Sequence, residues 1–271
     1  MKKIIILLSA FAAMVSCQKE GVNNNETSNP DGNIVVFHVE TSKISIGEKE
    51  GDKIPLLWEE GDALDIYSAD LSEKLGTATL SSGAGEKSAS FTFNGTIADN
   101  TDVVLVYPAG SGNIIPKEQN EAEIHGCAST TVTGGQASFA LQHPAYVKFA
   151  LGSEAMGGWK VKEILFDCYK VPLSGTYAYI SNEFAPATEV SITGSTDGGF
   201  KVTLDEPALL SSNPEVLAAA IPADLTGKTV FVTLKLEKDG QKETVVSKKI
   251  SGKELKANAI NTIKWQDVDH V

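Results

Sequence analysis

Apolar and polar side chains alternate along most of the chain beyond residue 33, which is the pattern of β-strands with one buried face. Clear alternation runs through residues 89–94, 136–142, 145–151 and 200–205. Residues 34–39 and 102–107 are instead nearly continuous apolar runs, which are typical of strands covered on both faces. The pattern therefore predicts a chain that is β nearly throughout, with about fifteen strands.

Turn and helix signals refine this prediction. Residues 229–250 are predicted to form a hairpin, because two alternating segments flank Asp239 and Gly240, and glycine supplies the positive φ that a tight turn needs. Only residues 213–220 and 252–259 have patterns that favour short turns of helix. Helices therefore contribute little to the predicted fold.

The number of strands predicts two domains. Turn-forming residues separate the strands at the spacing of β-sandwiches, and about fifteen strands are more than one sandwich usually holds. Residues 152–159 are rich in glycine and carry no clear pattern, so we place the boundary there. The sequence thus predicts an all-β fold of two tandem β-sandwich domains of about seven strands each, covering residues 34–151 and 152–271.

The first 16 residues have the features of a signal peptide. Two lysines precede an apolar stretch over residues 4–15, which is shorter than the roughly 20 residues needed to span a bilayer. Ser16 is a small residue directly before Cys17, and residues 14–17 resemble the lipobox of bacterial lipoproteins, in which the cysteine is acylated. We therefore expect lipidation at Cys17; the alternative is plain secretion with an incidental cysteine.

The composition of the remaining chain limits its partners. Residues 17–33 are polar and rich in asparagine, so we expect a flexible tether, since they bury too little apolar surface to fold. The chain carries a formal charge of −12, from 35 acidic residues and 23 lysines, and contains no arginine. Nucleic-acid binding needs a cationic surface and favours arginine, so the composition argues against a nucleic-acid partner.

Two cysteines remain beyond Cys17, and their state is open. Cys168 shares an apolar face with Ile164 and Phe166, which is typical of a small buried hydrophobic residue. Cys127 lies in a segment rich in glycine, serine and threonine, which we interpret as a loop. An exported protein can form a disulfide, so both a Cys127–Cys168 pair and two free thiols are possible.

The densest acidic cluster lies beside Trp58 and consists of Glu59, Glu60, Asp62 and Asp65. We interpret it as the corner of a hairpin, because Gly61 can adopt the left-handed conformation of a turn and Asp62 can bond the turn backbone. Catalytic carboxylates need shielding and a fixed separation, and calcium loops need spaced oxygen ligands. Neither is expected from adjacent acids on an exposed turn, so no catalytic or metal site is predicted.

Other candidate sites are weaker. The four histidines, with no spacing typical of zinc ligands, are His38, His125, His143 and His270. We expect His143 to bond backbone at the start of a strand. Residues 81–90 contain glycines and a lysine but precede a strand, so they predict a hairpin loop and not a phosphate-binding loop. Aromatic residues that could stack on sugars are Trp159, Tyr177 and Tyr179, although packing in a core or on a sheet face is the commoner fate of aromatic side chains.

Several short motifs follow one another along the chain: Trp58, Gly61, Asp62 and Ile66 come first, followed by Tyr107 and Pro108 and then by His143 within residues 141–149. Their order resembles that of fimbrillin-like proteins, the subunits and accessories of type V pili of Bacteroides-type anaerobes. Residues 161–164 and 173–176 resemble the start of the second half of these proteins. The chain therefore resembles the fimbrillin-like family over most of its length after residue 33.

The resemblance implies transthyretin-like sandwiches and export as a lipoprotein to the cell surface, in the outer membrane or in a fimbrium. It implies a structural or adhesive function as a fimbrial subunit, anchor or accessory adhesin. The implied partners are other pilus subunits and host or glycan ligands. No enzyme activity, cofactor or metal is implied. The alternative function is a surface glycan-binding lipoprotein of a polysaccharide-uptake system.

The resemblance also implies a mode of assembly. Shaft subunits of this family lose their first strand to a protease, and a strand of a neighbouring subunit takes its place through backbone hydrogen bonds. Residues 34–39 are the candidate first strand. Because the chain has no arginine, cleavage would follow Lys43, Lys49 or Lys53 or use another protease. An uncleaved, lipid-anchored subunit is an equal alternative.

Overall fold

The computed structural model describes residues 34–39, 43–46, 53–55, 57–120, 124–186 and 198–266. Within these ranges the chain consists of β-strands, turns and one 3-10 helix, Leu210–Ser212. The predicted all-β fold is confirmed. No helix in these ranges is long and apolar enough to cross a membrane. The predicted signal peptide, Cys17, the predicted tether, Lys49 and His270 lie outside the described residues.

The strands are numbered in chain order. Those of the N-terminal half are β1 (Ile34–Val39), β2 (Lys43–Ile46), β3 (Lys53–Pro55), β4 (Ala63–Ser68), β5 (Lys74–Ser82), β6 (Ala89–Asn94), β7 (Thr101–Tyr107), β8 (Ile114–Ile115), β9 (Glu118–Gln119), β10 (Gly126–Val132) and β11 (Gln136–Phe139). Those of the C-terminal half are β12 (Ala145–Leu151), β13 (Lys160–Cys168), β14 (Gly175–Ile180), β15 (Glu183–Pro186), β16 (Phe200–Leu209), β17 (Glu215–Ala220), β18 (Ala223–Asp224), β19 (Thr229–Glu237), β20 (Thr244–Ser251), β21 (Glu254–Leu255) and β22 (Ala259–Trp265).

The N-terminal half is one seven-stranded sheet wrapped around its own core. Its strand order is β10-β7-β4-β5-β6-β1-β11. The two edge strands meet, because a Thr133–Gln136 bridge joins them and Thr130 Oγ1 donates to the Ser138 carbonyl oxygen at 2.9 Å. The large, fully buried side chains inside this sheet are Phe37, Leu64, Ile66, Phe91 and Leu105.

Most strands of the C-terminal half form a sandwich of two five-stranded sheets, which β2, β3 and β9 of the N-terminal half join. One has the order β17-β12-β22-β2-β3 and the other β20-β19-β13-β16-β9. Their facing side chains form one core, in which the rings of Phe149 and Phe166 lie 5.7 Å apart and those of Phe166 and Phe200 lie 5.3 Å apart. The hairpin predicted over residues 229–250 is present as β19 and β20, with Gly240 at φ +75°.

The two short helices expected from the sequence are absent, and those predictions were wrong. Residues 215–220 form β17, which pairs along its whole length with β12 and points Val216 and Ala218 into the core. Pairing and burial override the local helix preference of this alanine-rich segment. In the second segment, residues 254–255 form β21 and residue 259 begins β22.

Strand pairing crosses the predicted domain boundary. β12, which we predicted to be the last strand of the N-terminal domain, pairs with β17 and β22 of the C-terminal half. β2 leaves the N-terminal half and pairs in parallel with β22. Gly32–Val271 forms one compact unit. The division into two domains, residues 34–151 and 152–271, stays a prediction.

The segment between β7 and β10 holds the two halves together. The Gln119 side chain accepts from the Ala219 N–H and donates to the Ala219 carbonyl oxygen, both at 2.9 Å. These two bonds satisfy backbone groups on the free edge of β17. The Asn113 backbone carbonyl oxygen accepts from the Tyr177 N–H at 2.9 Å, and the Asn113 side-chain amide donates to the Tyr177 carbonyl oxygen at 2.7 Å. A third core, which includes Val106, Cys127 and Tyr146, lies under this segment.

Candidate functional site

The acidic corner beside Trp58 is partly buried, which corrects our expectation of an exposed turn. Glu59 and Glu60 are exposed, whereas Asp62 and Asp65 are only 3% and 1% exposed. The predicted hairpin at this corner was also wrong, because β3 pairs with β2 while β4 pairs with β5 and β7. The corner instead carries the chain from one sheet into another.

Each buried carboxylate holds structure together. Asp62 accepts a hydrogen bond from the Glu59 N–H at 2.8 Å, as a turn aspartate does, and another from the Tyr107 hydroxyl at 3.1 Å. Asp65 accepts from Thr77 at 2.7 Å and from the Gly110 N–H at 2.8 Å, and it pairs with Lys74 at 2.8 Å.

The protonation of Asp65 follows from these contacts. Burial alone would raise the pKa of this carboxyl, but hydrogen bonds from Lys74, the Gly110 N–H and Thr77 outweigh burial and lower the pKa. Asp65 is therefore an ionised structural group at neutral pH. A general acid would need the opposite shift.

Several of the family-motif residues form one packed corner. The Trp58 ring makes edge contacts with the Phe91 ring at 5.0 Å and the Tyr107 ring at 5.3 Å, and its N–H donates to the Lys87 carbonyl oxygen at 3.2 Å. Gly61 turns the chain at φ +90°, and Ile66 lies fully buried in the same core. Pro108 follows Tyr107 through a cis peptide bond. The motif thus marks a structural corner.

His143 lies away from this corner and is fully buried beside His125. Its ring Nδ1 donates to the His125 backbone carbonyl oxygen at 2.7 Å, and the His125 backbone N–H donates to the Tyr146 hydroxyl at 2.8 Å. The expected backbone contact of His143 just before a strand is thus present. Among the described residues, no three histidine, cysteine or carboxylate side chains gather as metal ligands.

Burial controls the protonation of both histidines. It lowers the pKa of His125 to about 4, and the neighbouring His143 acts in the same direction. It also lowers the pKa of His143 to about 4, although the bond to His125 acts in the opposite direction. Both rings are therefore neutral at pH 7.

Both described cysteines are free thiols in separate cores. Cys168 is buried with Ile164 and Phe166, as expected. Cys127 does not lie in a loop: it is the second residue of β10, and its Sγ is 3.2 Å from the Tyr177 hydroxyl. Burial raises the pKa of Cys127 to about 12, so this thiol is unreactive as a nucleophile.

The aromatic residues proposed to stack on sugars are not available for that role. Trp159, Tyr177 and Tyr179 are 6%, 0% and 3% exposed, and they belong to the cores. Tyr177 and Tyr179 lie on β14 and Trp159 directly precedes β13, and the sequence did not show which segments cover their rings. The glycan-binding alternative thus loses the residues on which it depended.

β1 is the remaining candidate for a functional element. It lies between β6 and β11 and is hydrogen-bonded to both. It pairs antiparallel with β6 over six residues and parallel with β11 over four. The side chains of Val35, Phe37 and Val39 are 3%, 0% and 2% exposed and fill the N-terminal core. Its other face is only partly covered, so the expectation of burial on both faces was wrong.

The lysines considered for cleavage lie shortly after β1. Lys43 begins β2 and Lys53 begins β3, and these two strands pair with each other. A protease needs an extended, unpaired segment, so neither peptide bond is accessible while this pairing holds. Cleavage at either position would first require β2 and β3 to separate.

Comparisons with known proteins place the fold. No protein-family model matches the chain, and no curated protein matches it. Among solved structures, a candidate cell adhesion protein from Bacteroides fragilis is 13% identical, with a TM-score of 0.51, over 87% of this chain and 94% of its own. A candidate cell adhesion protein from Bacteroides ovatus is 12% identical, with a TM-score of 0.46, over 85% of this chain and 92% of its own. The shaft pilin of Lactobacillus rhamnosus is 8% identical, with a TM-score of 0.29, over 88% and 99%. The first similarity shows a shared fold.

Proposed function

We propose that the chain is a cell-surface lipoprotein that serves as a fimbrial subunit, anchor or accessory adhesin, and that its β1 strand is exchangeable. The observation that carries the proposal is the position of β1, which bonds on both sides and fills the core with Val35, Phe37 and Val39. Loss of β1 would expose two strand edges and an apolar groove. Such a groove takes up a strand of another chain with matching side chains.

The shared fold with a candidate adhesion protein from Bacteroides fragilis supports an adhesive or structural function. The buried acids and histidines act as structural groups within the described residues, and this favours a role without catalysis. Cys17 would supply the membrane anchor. The partners would be other subunits or surface ligands.

Strand exchange can be tested with the full-length protein. A specific protease site replaces residues 40–42, and the cut protein is mixed with a fluorescent peptide of residues 34–39. We expect the labelled peptide to enter the protein, because it restores both ladders and the core contacts of Phe37. A matched peptide with Phe37→Ala should compete at least tenfold more weakly. Failure of the unmodified peptide to enter would refute an exchangeable first strand.

The anchor is tested separately in the producing bacterium. The Cys17→Ser variant should lose acyl labelling and leave the membrane fraction, whereas Cys127→Ser and Cys168→Ser should keep both. Electron microscopy and adhesion assays of cells with and without the gene address the surface role. Unchanged filaments together with unchanged adhesion would count against it.

A further inference from the structure

β20, in the C-terminal half of the chain, has one backbone edge that is exposed along its whole length. β20 pairs with β19 over eight residues in unbroken register and is the edge strand of its sheet. It contains neither proline nor glycine. Within the described part of the chain, no strand lies on its outer side. Such an edge presents unpaired backbone N–H and C=O groups to a further strand.

The surroundings of this edge are cationic, although the chain as a whole carries a charge of −12. The exposed lysines in β20 or within two residues of it are Lys242, Lys248, Lys249 and Lys253. None of them pairs with a carboxylate of the described residues. The nearby Glu243 is already bound by Lys162 at 3.2 Å and by Lys235 at 3.3 Å. Within the described residues, these four positive charges therefore have no ion-pair partner.

Apolar side chains accompany these lysines. Val245 is 64% exposed on β20, and Phe231 is 43% exposed on β19, directly opposite Lys249. Lysine alone on an edge discourages unwanted strand pairing. Lysine combined with exposed valine and phenylalanine instead offers both a charge and an apolar contact to an incoming chain.

Charge decides which kind of strand fits. If β20 paired antiparallel with β20 of a second copy along its full length, Lys248 of each copy would face Ser247 and lie diagonal to Lys249 of the other copy. Like charges on neighbouring strands are destabilising, so this self-pairing is disfavoured. An acidic strand would instead place opposite charges side by side.

We propose that the outer edge of β20 binds an acidic, extended segment of a partner protein by β-strand addition. In the antiparallel arrangement, two adjacent acidic residues of the partner face Lys249 and Lys248, and an apolar residue further along the segment faces Val245. Lys249 lies on the outer side of the sheet opposite Phe231, whereas Lys248 lies over the Trp265 ring at 5.7 Å. The partner segment therefore contacts side chains on both faces of the sheet at this edge.

This surface is independent of the proposed exchange of β1, since it uses the C-terminal sheet with β1 in place. Its test uses the intact protein and a labelled eight-residue peptide of β-branched residues. Two adjacent glutamates of the peptide face Lys249 and Lys248, and a valine faces Val245. We expect saturable binding that weakens as salt is added, with a matched lysine peptide binding at least tenfold more weakly.

Protein variants separate this contact from general charge attraction. The double variant Lys248→Glu with Lys249→Glu should reverse the preference between the two peptides. The control variant Lys87→Glu with Lys117→Glu has the same net charge and exposed lysines elsewhere, and it should keep the original preference. An N-methylated glutamate peptide retains its charge but loses backbone donors, so it should bind at least tenfold more weakly.

Three results would overturn the proposal. The first is equal binding of the glutamate and lysine peptides, and the second is equal binding of the N-methylated peptide. The third is binding that appears only when residues 267–271 are deleted. That result would assign the edge to the chain's own acidic segment after Trp265 and not to a partner.

Discussion

The buried pair of His125 and His143 should make the protein sensitive to mild acid. Both rings are neutral in the folded protein because burial lowers each pKa to about 4, from an ordinary value of 6.5. In the unfolded chain they gain protons near pH 6.5. Stability is therefore fully present above about pH 6.5 and is lost as the pH falls from there toward 4.

The size of the effect follows from the pKa difference. One pKa unit corresponds to about 1.4 kcal/mol, so each histidine costs about 2 kcal/mol at pH 5, where the unfolded form is protonated and the folded form is not. The pair together costs about 4 kcal/mol, which is a large part of the typical stability of about 5 to 15 kcal/mol. Asp65 adds its own loss only at lower pH, because its pKa lies below 3.8.

The assay is urea unfolding at several pH values between 7 and 4.5. The free energy of unfolding should fall by about 2.3 kcal/mol for the pair between pH 6 and pH 5. His143→Asn should remove about half of this slope. Tyr146→Phe is the control, because it removes the hydroxyl that accepts from His125 and lowers stability without changing the slope. A free energy of unfolding that is constant from pH 6.5 to 4.5 would refute the argument.

Three further predictions concern the cores and the thiols. Phe37→Ala should lower the free energy of unfolding by about 3 to 5 kcal/mol, measured by urea denaturation, because this residue of β1 buries its ring fully in the N-terminal core; a loss below about 1 kcal/mol would show that β1 adds little. Gly76→Ala should cost about 1 to 3 kcal/mol, because the new methyl group would overlap the Phe93 ring that lies on this glycine, and an unchanged melting temperature would contradict that contact. Cys127 and Cys168 should react with a thiol reagent only after unfolding, and rapid labelling of the native protein would contradict their burial.

The strands were largely predictable from side-chain periodicity, because period-2 alternation reports directly which face of a strand is buried. Phe37, Phe91 and Phe149 all lie in cores, as their patterns indicated. The alanine-rich residues 215–220 were not predictable, because their local preference is helical and only pairing with β12 makes them a strand. No pattern within residues 215–220 indicates that they will pair with a strand so far away in the sequence.

The environment of the candidate sites was less predictable for the same reason. Asp65 looks solvent-exposed in the sequence, but the Gly110 N–H, from a loop 45 residues away, covers its carboxylate. Tyr177 looks available for ligands, but Cys127 and the segment that carries Asn113 cover it. Burial of a polar side chain depends on which distant segments pack over it, and periodicity does not encode this.

The double pairing of β1 has a mechanical consequence. β1 is the first of the described strands, so tension applied from the N-terminal side reaches it before any other described strand. Extraction requires the ladder to β6 and the ladder to β11 to fail together while Phe37 leaves the core. A protein held to a surface by its N-terminal end would therefore carry external load on a strand that is hydrogen-bonded on both sides.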